Sequence, residues 1–281
     1  MKGRFITSKE IEKFRSYLQE AERSKNTIEK YIRDVKAFAD YAQSNIIMKE
    51  IVIAYKQKLI ESGYAIRSIN SMLASINGLF TFLGWHDFKV KSLKLQQQVF
   101  CPEGKELTRA EYERLCRAAM RQHNERLNLI LQTICGTGIR VSELRFITAE
   151  AVRDGNATVS LKGKTRSVFI VRALQKKLLQ YISKHKIHTG PIFITRTGKP
   201  ICRTNIWREM KNLCLEAEVN SEKVFPHNLR HLFARVFYSI EKDISKLADV
   251  LGHSSINTTR IYIISTGAEH RDHMERMRLI I

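Results

Sequence analysis

Apolar residues in the first hundred positions recur at helical spacing. Ile11, Phe14 and Leu18 share one face of a first segment, and Ile28, Ile32, Val35 and Ala39 one face of a second. A third segment, from about Met48 to Glu61, ends before Ser62-Gly63, and a fourth, from about Ile66 to Leu83, carries Ile69, Met72, Leu73, Ile76, Leu79 and Phe80. Neither proline nor a strand-like alternation occurs before Pro102, so this half predicts an all-α domain whose stripes form its core. Asn26, with Glu29 three positions on, has the spacing of a capping box and is expected to open the second helix.

The periodicity lapses after Leu93 in KLQQQVFCPEGKELT, which predicts a linker over 99–106 between domains 1–98 and 107–281. Beyond it, Thr108 and Glu111 predict a capped helix to Gln122, and Leu127 to Cys135 a buried helix stopped at Gly136-Thr137-Gly138. Thr158 to Leu161 and Ser167 to Val171 flank KGKTR, the pattern of a β-hairpin turned at Gly163. From Ala173 onward the chain reads as helical, broken at Gly190-Pro191, Gly198-Lys199-Pro200 and Pro226. The expected fold is mainly α, with a small hairpin in an α+β C-terminal domain.

Charge narrows the partners. The 281 residues include 48 Lys and Arg against 28 Asp and Glu, a net charge of +20. Both halves are basic, residues 1–100 carrying 17 basic and 10 acidic side chains. Two folded surfaces facing one long polyanion suit duplex DNA, with an RNA-binding or ribosomal protein as the alternative. A hydrophobic content of 43% excludes a disordered chain. No stretch approaches the ~18 uncharged apolar residues of a membrane span, and no secretory segment opens the chain, so a cytoplasmic location is expected. Cys101, Cys116, Cys135, Cys202 and Cys214 form no C-x-x-C pair, which reads as reduced structural thiols. His227 and His231 lack the intervening Glu of a zinc-protease helix, and no metal site is expected.

Three clusters could carry chemistry. In Gly136-Thr137-Gly138-Ile139-Arg140-Val141-Ser142-Glu143-Leu144, a glycine stop precedes a helix start that presents Arg140, a place for an anion or simply a capped turn with an Arg140–Glu143 surface pair. In Pro226-His227-Asn228-Leu229-Arg230-His231, proline can open a helix that puts His227 and Arg230 on one face, either as two phosphate donors or as a structural histidine beside an exposed arginine. In Leu251-Gly252-His253 followed by Thr258-Thr259-Arg260-Ile261-Tyr262, a Gly-His turn leads into a short helix and a tyrosine, which alone reads as packing.

Together, T-G-x-R-x-S-E-L at 137–144, H-x-L-R-H at 227–231 and L-G-H with T-T-x-x-Y at 251–262 resemble the tyrosine recombinase (phage integrase) family, in particular its compact Xer-like members. The resemblance spans essentially the whole chain. It implies an N-terminal core-binding domain and a C-terminal catalytic domain that clamp DNA and recombine it site-specifically through a 3′-phosphotyrosyl intermediate and a Holliday junction, with no metal or nucleotide cofactor. Tyr262 would be the nucleophile, Arg140 and Arg230 would hold the non-bridging oxygens, His227 would act as base and His253 would donate to the phosphate. The general-acid lysine would lie in the hairpin turn. That loop is one residue shorter than the family's G-K-G-x-K-x-R pattern and has Leu161 for its first glycine; counting back from the second strand favours Lys162, with Lys164 on backbone phosphate. Glu143 matches a supporting acidic position.

The resemblance also implies inverted-repeat core sites and a homotetramer of two dimers. Ser24 to Thr27, Arg67 and Ser68 match phosphate- and groove-facing positions, helix capping being their plain alternative. The apolar ending Leu279-Ile280-Ile281 could dock on a neighbouring subunit or in cis, and no arm-site domain is expected. A type IB topoisomerase, which uses a similar set of groups, and a non-catalytic DNA-binding protein are the competing readings.

Overall fold

A computed structural model describes residues 4–43, 46–94, 104–161, 163–262, 271 and 274–278, apart from the side chains of Leu161 and Lys164. The chain divides into two compact units, Met1–Gln97 and Gln98–Ile281. It is mainly helical, with one two-stranded antiparallel sheet among the described residues. No helix among them is long and apolar enough to cross a membrane.

The first unit contains α1 (Ser8–Glu20), α2 (Lys25–Ala42), α3 (Lys49–Glu61) and α4 (Ile66–Phe82). The predicted stripes close on one another: Phe14, Ile32, Val35 and Leu79 meet in one cluster, and Phe38, Val52, Leu73, Ile76 and Phe80 in another. Removing such residues from water is the main term that holds the bundle together. Asn26 does not open α2. Ser24 does, its hydroxyl accepting from the Thr27 amide, because the helix already begins at Lys25 and places Asn26 inside its first turn.

In the second unit, α5 (Arg109–Arg121) starts with the reciprocal Thr108–Glu111 box, and α6 (Glu125–Thr137) runs through the core with Leu127, Ile130, Leu131 and Ile134 buried. Gly138 ends α6 at φ +65°, and a Cβ there would stand 2.4 Å from Phe233 Cδ1. Gly138→Ala is therefore expected to lower stability by about 2–4 kcal/mol. A denaturation midpoint equal to wild type would contradict the close approach.

After α7 (Ala149–Asp154), β1 (Asn156–Leu161) pairs with β2 (Lys164–Phe169) in a hairpin whose turn places Gly163 at φ +73°. The ladder starts earlier than the apolar pattern suggested, at Asn156, and Ile170 and Val171 fall beyond it. Helices α8 (Arg172–Lys184), α9 (Arg203–Asn212), α10 (Pro226–Glu241), α11 (Ile244–Leu251) and α12 (Ile256–Arg260) follow. Most of the expected linker, Lys162 and the Leu279–Ile281 ending lie outside the described residues.

Candidate active site

Three helix ends build the site. Pro226 occupies the first turn of α10, where its missing N–H costs nothing, and starts a helix carrying His227, Arg230 and His231 within one turn. Gly252 ends α11 in the left-handed conformation, and the turn is fixed by the His253 amide on the Ala248 carbonyl. Helix α12 follows, and the Tyr262 amide closes on the Thr259 carbonyl.

Arg230 is not the exposed arginine that the plain reading assumed. It is 1% exposed, and its Nη1 donates to the Gly138 carbonyl. Its Nη2 donates to the Leu251 carbonyl at 2.8 Å and lies 2.8 Å from His253 Nε2. One buried guanidinium thus joins the end of α6, the start of α10 and the end of α11. Burial and the nearby Arg140 lower its pKa to about 10, so it remains cationic at neutral pH. His253 is oriented from behind by Thr259, Nδ1 to Oγ1 2.9 Å.

Tyr262, 4% exposed, sits among these groups. Its hydroxyl lies 3.5 Å from His227 Nε2, at the long end of hydrogen bonding. Its ring lies 4.2 Å from the ring of His231 and 5.3 Å from that of His253, centroid to centroid, with the Arg230 guanidinium 6.0 Å away. Burial, then the charges of Arg230 and Arg140, depress the pKa of His227. Burial, then the adjacent His227 and Arg230, takes His231 down to about 4, and burial, then Arg230, Arg140 and Arg166, takes His253 to about the same value. All three imidazoles are therefore neutral at pH 7, and His227 has a lone pair available to take a proton.

Arg140 stands at the cap of a short 3₁₀ turn, Val141–Phe146, rather than in the first turn of an α-helix. Its amide is also not free for an anion, because it donates to Glu143 Oε2 at 2.8 Å. Glu143, which the plain reading paired with Arg140 on the surface, does pair with it but is fully buried, accepting from Arg140 Nη1 at 2.9 Å and from both terminal nitrogens of Arg166. Burial raises its pKa, but the bonds from Arg166 and from Arg140 prevail and hold the carboxyl at about 2. The Arg140 side chain remains partly exposed, at 37%.

The structure thus brings Tyr262, His227, Arg230 and His253 together, with Arg140 close enough to shift the pKa of His227, Arg230 and His253. His231 and Arg166 also join the cluster, although neither was expected to have a role. His231 was visible as the second histidine of H-x-L-R-H. Arg166 was visible by register: it shares a strand face with Val168, 4% exposed, and precedes an inward Ile170, 5% exposed, so a core-facing arginine demanded a buried counter-charge.

Residues 105–269 match the phage integrase family model, and residues 11–87 match the model of the phage integrase N-terminal SAM-like domain. The chain is 27% identical to tyrosine recombinase XerA of Pyrococcus furiosus over 289 aligned residues, covering 100% of this chain and 98% of the relative. Its fold is shared with a lambda integrase dimer bound to a COC′ core site, at a TM-score of 0.76 and 17% identity, covering 93% of this chain and 96% of that one. It is shared also with a lambda integrase tetramer bound to a Holliday junction, at a TM-score of 0.73 and 17% identity, covering 93% of this chain and 78% of that one.

Proposed function

The chain belongs to the phage integrase family and is a site-specific recombinase that breaks and rejoins DNA, and we propose that Tyr262 is the nucleophile of that reaction. Its oxygen attacks the scissile phosphorus while His227 Nε2 takes the phenolic proton. The bond to the 5′ oxygen breaks, that oxygen takes a proton from Lys162, and the strand is left as a 3′-phosphotyrosyl ester with a free 5′-hydroxyl. A 5′-hydroxyl from the partner duplex then attacks the ester and returns the proton path in reverse, through a Holliday junction. The phosphodiester bond is exchanged rather than hydrolysed.

Arg140 and Arg230 hold the non-bridging oxygens and offset the charge that grows on them in the transition state. His253 donates to the phosphate from Nε2 once its proton has moved there from Nδ1, with the Thr259 hydroxyl turning from acceptor to donor. The phosphate then takes the place of the present Arg230–His253 contact. Tyr262 is buried, so its ring must turn outward as DNA enters. The observation that carries this reading is the meeting of Tyr262 with His227, Arg230 and His253 from helix ends far apart in sequence.

Residues 107–281 form the catalytic domain and residues 1–98 the core-binding domain, where Ser24 to Thr27, Arg67 and Ser68 lie at exposed helix starts suited to phosphate. The enzyme works in the cytoplasm on duplex DNA with inverted-repeat core sites, as a homotetramer of two dimers. To test this, the protein is incubated with fragmented DNA from its host, and covalent adducts are captured and sequenced. A recurring inverted repeat is expected. Adducts without sequence preference, with relaxation of any supercoiled plasmid, would instead identify a type IB topoisomerase-like activity.

The base role fixes a pH dependence. Because the His227 pKa is lowered from 6.5, the neutral form gains ground as pH rises through a midpoint below 6.5. Cleavage measured below saturation is expected to rise about tenfold per pH unit beneath that midpoint and level off above it. The limb should vanish in His227→Gln, and a midpoint above 6.5 would contradict the assignment.

A further inference from the structure

The buried carboxylate of Glu143 lies between two arginines, only one of which has a place in the reaction above. Arg166 meets it with a two-pronged contact, Nη1 to Oε1 at 3.0 Å and Nη2 to Oε2 at 2.8 Å. Arg140 meets the same carboxylate with one side-chain nitrogen and its amide. The Arg166 side chain is 15% exposed against 37% for Arg140, so Arg166 is the inner partner and Arg140 the outer one. Arg166 also crosses Gly252 so closely that a Cβ there would stand 2.6 Å from its Cδ. The residue before His253 therefore has to be glycine for Arg166 to lie where it does.

A lone carboxylate beside a lone guanidinium at low dielectric would cancel it and hold it inward. A second guanidinium changes that balance, because two cations share one anion and one unit of positive charge stays available. We infer that Arg166 is a positioning residue that neutralises Glu143 from inside, leaving the charge of Arg140, and the guanidinium donors that it does not spend on Glu143, for the scissile phosphate. The same contact ties strand β2 of the hairpin and the Arg140 turn to one carboxylate, and it lays the Arg166 side chain against Gly252. The inference rests on the proposed role of Arg140 in holding the phosphate.

The test uses the full chain and a nicked suicide duplex carrying the core site recovered by adduct sequencing. Arg166→Met is expected to slow single-turnover cleavage at saturating protein by roughly 30-fold, the scale of losing part of one oriented charge, while the Kd for DNA stays within about twofold, phosphate contacts elsewhere being intact. Arg166→Met combined with Glu143→Gln is expected to cleave faster than Arg166→Met, because the anion that captures Arg140 is gone while an amide oxygen still accepts its hydrogen bond. On a duplex with methylphosphonate at the scissile position, where one oxyanion is absent and less is asked of Arg140, the deficit of Arg166→Met should shrink.

Should Arg166→Met not fold, Arg166→Gln, which keeps a donor and drops the charge, carries the same expectations. A wild-type rate in these variants, or a double variant no faster than the single with an equal deficit on both duplexes, overturns the inference. Failure of the wild type to form an adduct, or of Arg140→Ala to gain on methylphosphonate, would instead count against the reading of the site.

Discussion

Tyr262→Phe is expected to abolish covalent attachment to DNA and lower strand cleavage by roughly 10⁴-fold or more, since no other group supplies the attacking oxygen. The substitution removes one atom from a ring packed against His231 and His253 and breaks the long contact to His227. Stability should change by less than about 1 kcal/mol. DNA affinity should hold, because the phenolic oxygen contributes to chemistry and not to the basic surface. Electrophoresis under denaturing conditions reads the adduct and native gels read binding; an adduct at wild-type yield would remove Tyr262 from its role.

The second large effect falls on Arg230. Arg230→Ala takes a cation from the transition state and is expected to slow cleavage by roughly 10³-fold. Unlike Tyr262→Phe it also unsettles the fold. The Gly138 and Leu251 carbonyls lose their donors and a cavity opens between α6, α10 and α11, at a cost of about 2–4 kcal/mol. Arg230→Gln separates the two effects, since an amide can still reach a carbonyl but brings no charge. It should recover part of the stability and little of the rate, as read by chemical denaturation beside single-turnover cleavage. Equal recovery of both would mean that Arg230 is an architectural residue.

The helices were legible because each carries a repeating apolar face, and a face such as Ile11-Phe14-Leu18 has few ways to leave water. Caps were legible where both partners were present, as at Thr108 and Glu111, and misread at Asn26, where one residue of register decides which side chain meets the orphan amides. The grouping of Arg140, His227, Arg230, His253 and Tyr262 came from motif order and family resemblance, since nothing local to position 262 distinguishes a nucleophile from a packed tyrosine. Burial was harder to see. Arg230 and Glu143 are polar residues that spacing would leave in solvent, and they lie inside because partners from distant segments satisfy them. That pairing is a tertiary property, and only the inward register of Arg166 on β2 hinted at it.

The most direct test is to trap the protein on a suicide duplex, digest the adduct and identify the peptide that retains the nucleotide by mass spectrometry. The expected result is a single 3′-linked nucleotide on the oxygen of Tyr262. A nucleotide on any other side chain, or cleaved DNA bearing no protein, would contradict it.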